Sequence, residues 1–265
     1  MSDEKEKDVC SDHIRLPIGY EVDGVRYRNV VIDELLGIDD HLIIGKKAGK
    51  NAAKSETMVL CRTIQEIEGI VPQKKNSESL LDRNIVQNMY GPDRDFILSR
   101  VYMLSGRTEA MMAGECPRCA RIWEEEVLIK DLPVIEWPED APACMDFKLE
   151  FGVKDMKTNE QQLIGKVDFP TGRIQELIAE IGDAAEVIDS LLTALIKDFG
   201  TLGKVNKEQV KRMKQRDRVN IIDLIANGFP GLKMLQTVNC DCGREYETRA
   251  DLSAFLGGQR RKAKL

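Results

Sequence analysis

The chain reads as an α+β protein of two tandem similar units, each a β-hairpin followed by several helices and a cysteine-knuckle hairpin, the two joined by a shared metal site. Three observations predict this. Two short cysteine pairs, Cys116-Pro117-Arg118-Cys119 and Cys240-Asp241-Cys242-Gly243, lie 124 positions apart. Asp93-Arg94 and Asp217-Arg218 share that spacing of 124. The run Ile32-Asp33, Gly37, Leu42-Ile43 returns as Val167-Asp168, Gly172, Leu177-Ile178 at a constant 135.

The first unit is placed at 13–132. Ile14-Arg15-Leu16 leads to Glu21-Val22-Asp23-Gly24-Val25-Arg26-Tyr27, and Asp-Gly between β-formers signals a two-residue hairpin. Val30-Val31-Ile32 continues the second strand. Gly37-Ile38-Asp39-Asp40 opens a helix running to about Lys47, followed by a loop over 45–55. Ser55 caps a helix that buries Val59, Leu60, Thr63, Ile64 and Ile67, the spacing of one helix face, with Gly69 as its stop. Ser77 caps a third helix carrying Leu81, Ile85 and Met89. Gly91-Pro92 breaks it, and Asp93 caps a fourth with Ile97, Val101 and Leu104. The knuckle at Cys116 follows, then a strand over 123–129.

Residues 133–144 hold Pro133, Pro138 and Pro142 and read as a linker. The second unit, 145–256, repeats the order. Phe147-Lys148-Leu149-Glu150-Phe151 alternates with the period of a half-buried strand, and 163–169 returns. Pro170-Thr171-Gly172 opens a helix. Asp183 starts another with Ala184, Ile188, Leu191, Leu195 and Phe199 in its stripe. Asn206 caps a short helix with Val210 and Met213. Asp217 caps the next, with Ile221, Leu224 and Ile225 buried and Gly228 at its end. Glu245-Tyr246-Glu247-Thr248 is the strand after the second knuckle. The ends, a charged 1–12 and a basic 257–265, are expected as mobile tails.

Cys116, Cys119, Cys240 and Cys242 are the candidate metal ligands. A turn can aim two sulfurs at one ion, and four thiolates from two turns suit tetrahedral Zn2+. Cys-x-Cys is tighter than the usual two-residue spacing. The only histidines, His13 and His41, lie far from both pairs in sequence, so a four-cysteine site needs both knuckles. The alternatives are a redox Cys-Pro-x-Cys pair, disfavoured because a strand rather than a helix follows it, and free thiols or an opportunistic disulfide. Cys10, Cys61 and Cys144 are isolated; seven cysteines so spaced are no disulfide framework. Cys61 reads as a small core residue on a helix.

Composition narrows the function. Hydrophobic residues reach 42%, enough for a core in 265 residues, and 39 basic against 45 acidic residues leave a net charge of −6. That argues against a general nucleic-acid binder. No stretch approaches the roughly 18 apolar residues of a membrane span, and the opening lacks the apolar run of a signal peptide. Gly45-Lys46-Lys47-Ala48-Gly49-Lys50 fails the P-loop spacing, with three residues between its glycines and Asn51 after the last lysine. Glu124-Glu125-Glu126 reads as the wet side of a strand. No Gly-x-Ser-x-Gly, His-Glu-x-x-His or glycine-rich dinucleotide turn is present, and the chain is not expected to be an enzyme.

Gly37-Ile38-Asp39-Asp40, Asp93-Arg94-Asp95-Phe96-Ile97-Leu98 and Cys116-Pro117-Arg118-Cys119, taken in that order, carry a family resemblance. So do Pro170-Thr171-Gly172-Arg173-Ile174-Gln175-Glu176, the segment 217–222 and Cys240-Asp241-Cys242-Gly243. Over roughly 14–132 and 145–252 the chain resembles the small tail-assembly and baseplate-hub proteins of contractile-tailed bacteriophages and related injection particles. Asp40, where Glu is common, and the Cys-x-Cys spacing depart from the pattern. The resemblance implies a non-enzymatic structural or assembly component of a viral tail baseplate. Its partners would be other phage tail and baseplate proteins, with no small-molecule substrate. Its place would be the virion tail, after assembly in the host cytoplasm. The competing expectation is a zinc-ribbon nucleic-acid-binding or transcription-complex module, using Arg118, Arg121 and Arg244. The acidic total and an aromatic content of 5% argue against it.

Overall fold

The computed structural model describes residues 12–39, 51–75, 78–155 and 158–251 and is a mixed α+β structure of several small sheets. Of the helix expected to open at Gly37-Ile38-Asp39-Asp40, residues Gly37–Asp39 form one 3-10 turn; its continuation to Lys47, the charged 1–11 stretch with Cys10, the Ser77 cap and the basic C-terminal tail lie outside the described residues.

Strands β1 (His13–Val22) and β2 (Val25–Ile32) form the expected hairpin. Asp23 and Gly24 carry φ of 51° and 77°, the left-handed pair that a two-residue turn requires. The pairing of β1 breaks between Arg15 and Tyr20, where Pro17 has no N–H to give. The freed N–H groups of Ile18 and Gly19 each donate to Asp93 at 2.8 Å. Asp93 is wholly buried, so it is a clamp on this bulge and not the helix cap the sequence suggested.

Helix α1 (Ala52–Thr63) starts at Asn51, whose side chain accepts the Lys54 N–H at 3.1 Å, rather than at Ser55. It ends at Thr63 and runs without a loop into β3 (Ile64–Ile67), antiparallel to β2. The single helix expected to reach Ile67 is therefore cut short. Ile64 and Ile67 are buried and β-branched, and pairing with β2 outcompetes another helical turn. A small hairpin of β4 (Gln73–Lys75) and β5 (Glu78–Leu80) follows, and β5 takes the residues where the third helix was expected to begin. Helix α2 (Arg83–Asn88) is capped by Asp82, and α3 (Gly91–Leu104) carries Pro92 in its first turn, where a missing N–H costs nothing. Strands β6 (Glu109–Glu115) and β7 (Ile122–Leu128) follow as a hairpin, then β8 (Val134–Ile135).

The later half opens with β9 (Cys144–Lys154) and β10 (Gln161–Asp168). Helix α4 (Gly172–Ile178) and α5 (Ala184–Leu195) come next, the latter capped by Asp183 as expected. Helix α5 also runs directly into a strand, β11 (Ile196–Asp198), so its stripe stops short of Phe199. Helix α6 (Lys207–Arg212) has an Asn206–Gln209 capping box. Helix α7 (Gln215–Gly228) begins before Asp217. That buried carboxylate accepts the N–H groups of Glu150 and Gly152, each at 2.8 Å. Strands β12 (Gly231–Leu232), β13 (Leu235–Asn239) and β14 (Glu245–Asp251) complete the described chain.

The sheet orders are β1-β2-β3, β11-β10-β9, β12-β8, β4-β5 and β13-β14-β6-β7. One buried cluster gathers Leu16, Val59, Leu60, Ile64 and Ile97; a second gathers Phe147, Val167, Phe169, Leu192 and Ile221. Ile18 of β1 belongs to the second. The proline-rich stretch is built into the fold. Its β8 pairs with β12, and Trp137 meets Phe169 edge-on at 5.0 Å.

The chain from Pro170 to Glu176 straps the later half onto the earlier one. Gly91 N–H donates to Pro170 O at 2.6 Å, and Gly172 N–H to Met89 O at 3.0 Å. Beneath the strap lies Arg94, with no exposed surface. Its Nε donates to Gln175 at 2.9 Å, and its Nη atoms to Val86 O and Thr57 Oγ1, each at 3.0 Å. Burial lowers the pKa of Arg94, against the pull of Glu56, Asp95 and Glu176. Buried Glu176 accepts from Thr57 at 2.6 Å, Gln87 at 2.8 Å and Arg83 at 2.9 Å. Burial raises its pKa, but these donors outweigh burial and hold it below the usual carboxylate range.

Two outcomes follow for stability. A Cβ on Gly172 would stand 2.4 Å from Arg94 Nη1, so Gly172→Ala should destabilise the chain by about 1–3 kcal/mol in urea unfolding. For Glu176, a depressed folded pKa means stabilisation is present above the unfolded value of about 4.3. It is lost as pH falls through the folded value. Glu176→Gln should therefore lower stability at neutral pH and flatten its fall in acid, read from urea midpoints across pH. An unchanged acid slope in the variant would contradict this account.

Candidate metal centre

The four cysteines meet because two hairpins share one sheet. Strand β6 pairs with β7 on one side and with β14 on the other, through Ala250↔Met112 and Asp251↔Met111. Thr248 Oγ1 adds a bond to Ala113 O at 3.0 Å. This puts the β6–β7 turn beside the β13–β14 turn. In the first turn Cys116 N–H donates to Arg121 O, and Ala120 N–H to Cys116 O, both at 2.9 Å. In the second, Cys240 N–H donates to Arg244 O at 2.9 Å, and Gly243 N–H to Cys240 O at 2.8 Å. Both are tight turns whose sulfurs leave on one side.

The Sγ atoms of Cys116 and Cys242 are 3.7 Å apart, and those of Cys119 and Cys240 are 3.6 Å apart. All four lie within 4.8 Å of one another. A disulfide would need about 2.05 Å. A tetrahedron of sulfurs around an ion at about 2.3 Å has edges of about 3.8 Å. The geometry is that of four thiols around a metal-sized centre, with each close pair formed across the two turns. Cys116 is buried, Cys240 and Cys242 are half-buried and Cys119 is exposed.

The thiols share their protons unevenly. Burial raises the pKa of Cys116, but the N–H groups of Arg118 and Cys119 and the nearby thiols outweigh it and lower it to about 6. For Cys240 the Cys242 N–H lowers the pKa, yet burial and the hydrogen bonds with its three neighbours raise it to about 12. The backbone N–H groups and neighbouring thiols that favour a thiolate at Cys116 suit a thiophilic cation. The pKa of Tyr246 is raised by burial first and then by the charge of the four cysteines.

The sequence-predicted ligands Cys116, Cys119, Cys240 and Cys242 are all brought together. Cys61 is buried in α1, as expected for a core residue, and Cys144 opens β9. His13 lies in β1, 3.8 Å from Asp12; His41 and the Gly45-to-Lys50 loop lie outside the described residues. Glu124, Glu125 and Glu126 are exposed on β7. The sequence reading missed the supporting strands β6 and β13 and the edge-on pair Trp123–Tyr246, at 6.3 Å, beside the turns. The aromatic residue soon after each knuckle was the available signal. No protein-family model, curated protein or solved structure matches the chain.

Proposed function

We propose that Cys116, Cys119, Cys240 and Cys242 hold one Zn2+ in a structural site, and that the chain is a structural or assembly component of a contractile-tail baseplate or hub. The 3.6 and 3.7 Å sulfur spacings carry the metal reading. Four thiolates fill a tetrahedral zinc and leave no position for a substrate. Bound there, zinc supplies folding free energy by tying hairpins that are distant in sequence.

The residues 13–132 and 145–256 are, in this reading, two tandem units that share that site. Several features support it. Each three-stranded sheet holds its second strand in the centre. Each has a helix that passes directly into the third strand. Each first strand is clamped by a buried Asp that precedes an Arg, at Asp93-Arg94 and Asp217-Arg218. A duplicated chain of this kind does what a symmetric dimer does, while leaving each unit able to take a different neighbour. Together with the ordered motifs that resemble tail-assembly proteins, this favours other tail and baseplate proteins as partners. It also favours a place in the virion baseplate, reached by assembly in the host cytoplasm.

The nucleic-acid reading draws less support from the site. Arg121 pairs with Asp241, and Arg118 donates to Cys242 O at 3.2 Å. Of the knuckle arginines this leaves Arg244 to face a phosphate backbone.

Protein purified under reducing conditions from zinc-replete medium should contain about one zinc per chain. Chelation should loosen the β6–β7 and β13–β14 hairpins, seen as faster amide exchange there. Zinc-free protein from such medium would sink the metal assignment. Replacing Cys240 and Cys242 with Ser should stop baseplate assembly while heads form normally, scored by electron microscopy of lysates. Normal tails and full infectivity would overturn the functional reading.

A further inference from the structure

The cysteine sulfurs contact one another across the two hairpins. Cys116 meets Cys242 at 3.7 Å and Cys119 meets Cys240 at 3.6 Å. Together these two contacts use every cysteine of the cluster once. Neither pair competes with the other for a sulfur, so both can close in one molecule. Closing each into a covalent bond brings its sulfurs together by about 1.6 Å.

We propose that the cluster is a redox-convertible tie. Under a hydroperoxide it exchanges its metal for two cross-turn disulfides, Cys116–Cys242 and Cys119–Cys240, and the two hairpins stay joined in both states. The proposal rests on the zinc reading of these cysteines and names what regulates that site.

Exposure sets the order of events, because Cys119 is exposed and Cys116 is buried. The Cys119 thiolate attacks one peroxide oxygen. An S–O bond forms, the O–O bond breaks, and the departing hydroxide takes a solvent proton and leaves as water. The Cys240 thiolate, 3.6 Å away, then attacks the sulfenic sulfur. An S–S bond forms, the S–O bond breaks, and a second water leaves with another solvent proton. Half-buried Cys242 and buried Cys116 repeat both steps. In all, four thiolates give up four electrons, and two molecules of hydrogen peroxide with four solvent protons become four waters. Zn2+ is released, because a disulfide sulfur is no longer a thiolate ligand.

The pairing decides what the oxidised state does. A disulfide inside one knuckle ties neither hairpin to the other. Within Cys240-Asp241-Cys242 it would also have to span a single residue of a turn that Gly243 N–H holds to Cys240 O at 2.8 Å. The cross-turn bonds join residues 126 and 121 positions apart, so they constrain the chain where the ion does. Such a tie holds in reducing surroundings as a metal site and in oxidising ones as a pair of disulfides.

The test uses the full chain, purified in reducing buffer, assayed for zinc and then exposed to hydrogen peroxide. A reduced chain without zinc fails at the first step and overturns the metal assignment along with this proposal. From a zinc-loaded chain, peroxide should release the zinc, read with a chromogenic chelator, in step with the loss of four thiols. Trypsin cutting after Arg118 and an Asp-specific protease cutting before Asp241 separate the four cysteines, so mass spectrometry identifies each link. Cys116–Cys242 and Cys119–Cys240 should dominate. Amides of β14 in the oxidised, metal-free chain should exchange at least about tenfold more slowly than in the reduced, chelated chain. Any other pairing, sulfinic acid in place of disulfide, zinc retained with its thiols intact, or equal exchange in the two metal-free states overturns the proposal and leaves the structural zinc reading standing.

Discussion

Burying a guanidinium commits its surroundings, because every N–H must find an acceptor and the charge must find compensation. Arg94 has no exposed surface, and its acceptors come from three elements: the α2 carbonyl of Val86, the Ala53 carbonyl and Thr57 hydroxyl of α1, and the strap carboxamide of Gln175. Helices α1 and α2 are fixed relative to α3 by it. The strap is fixed onto all three. Gly172 is required where the backbone passes the guanidinium, and Glu176 brings the compensating charge through Arg83, Gln87 and Thr57. The strap contact between the two halves is thus polar and directional, beside the apolar contacts of Ile18 and Tyr90 with the second cluster.

The residue before it works on the opposite side of the same helix turn. Asp93 receives the N–H groups of Ile18 and Gly19 where β1 leaves its ladder. The break lets Ile18 join the second buried cluster while Leu16, two positions away, stays in the first. A two-residue sequence, Asp93-Arg94, therefore connects strand β1, the strap and both cores. A second Asp-Arg pair, Asp217-Arg218, makes a like clamp on β9 through Glu150 and Gly152.

Much of this was legible in the sequence, and the misses share a cause. The Asp23-Gly24 turn, the Asp183 and Asn206 caps and the four cysteines were readable because each is a local signal. Ile64-to-Ile67 and the Ile196-to-Asp198 stretch were read as helix because their apolar spacing continues the helix before them. What makes them strands is a neighbour, β2 or β10, distant in sequence. Strand β6 was invisible for the same reason. Its Ala-Met-Met-Ala-Gly core favours a helix over a strand by composition, and only its pairing with β7 and β14 overrides that. Asp93 and Asp217 looked like caps because an Asp before an apolar stripe usually is one. Their N–H donors lie in strands that no local window contains.

The same reasoning explains why the four-cysteine cluster sits where it does. The β6–β14 junction is the one lateral contact joining the two cysteine hairpins into a single sheet, and its register is carried by Ala250↔Met112 and Asp251↔Met111. Those pairs lie at the end of β14 far from the cysteines. Near the turns, cohesion comes from Thr248 on Ala113, the Trp123–Tyr246 edge contact and the Arg121–Asp241 ion pair. Trp123 Nε1 and Tyr246 Oη are buried there without partners, which weakens that end further. A β6–β14 junction with two ladder pairs and two unmet donors beside it is the weak seam of this sheet. The four sulfurs are at the turn end of that seam, two from each hairpin. A tetrahedral ion held there would bond both turns at once, and so would set the register that the short β6–β14 ladder leaves weakly specified.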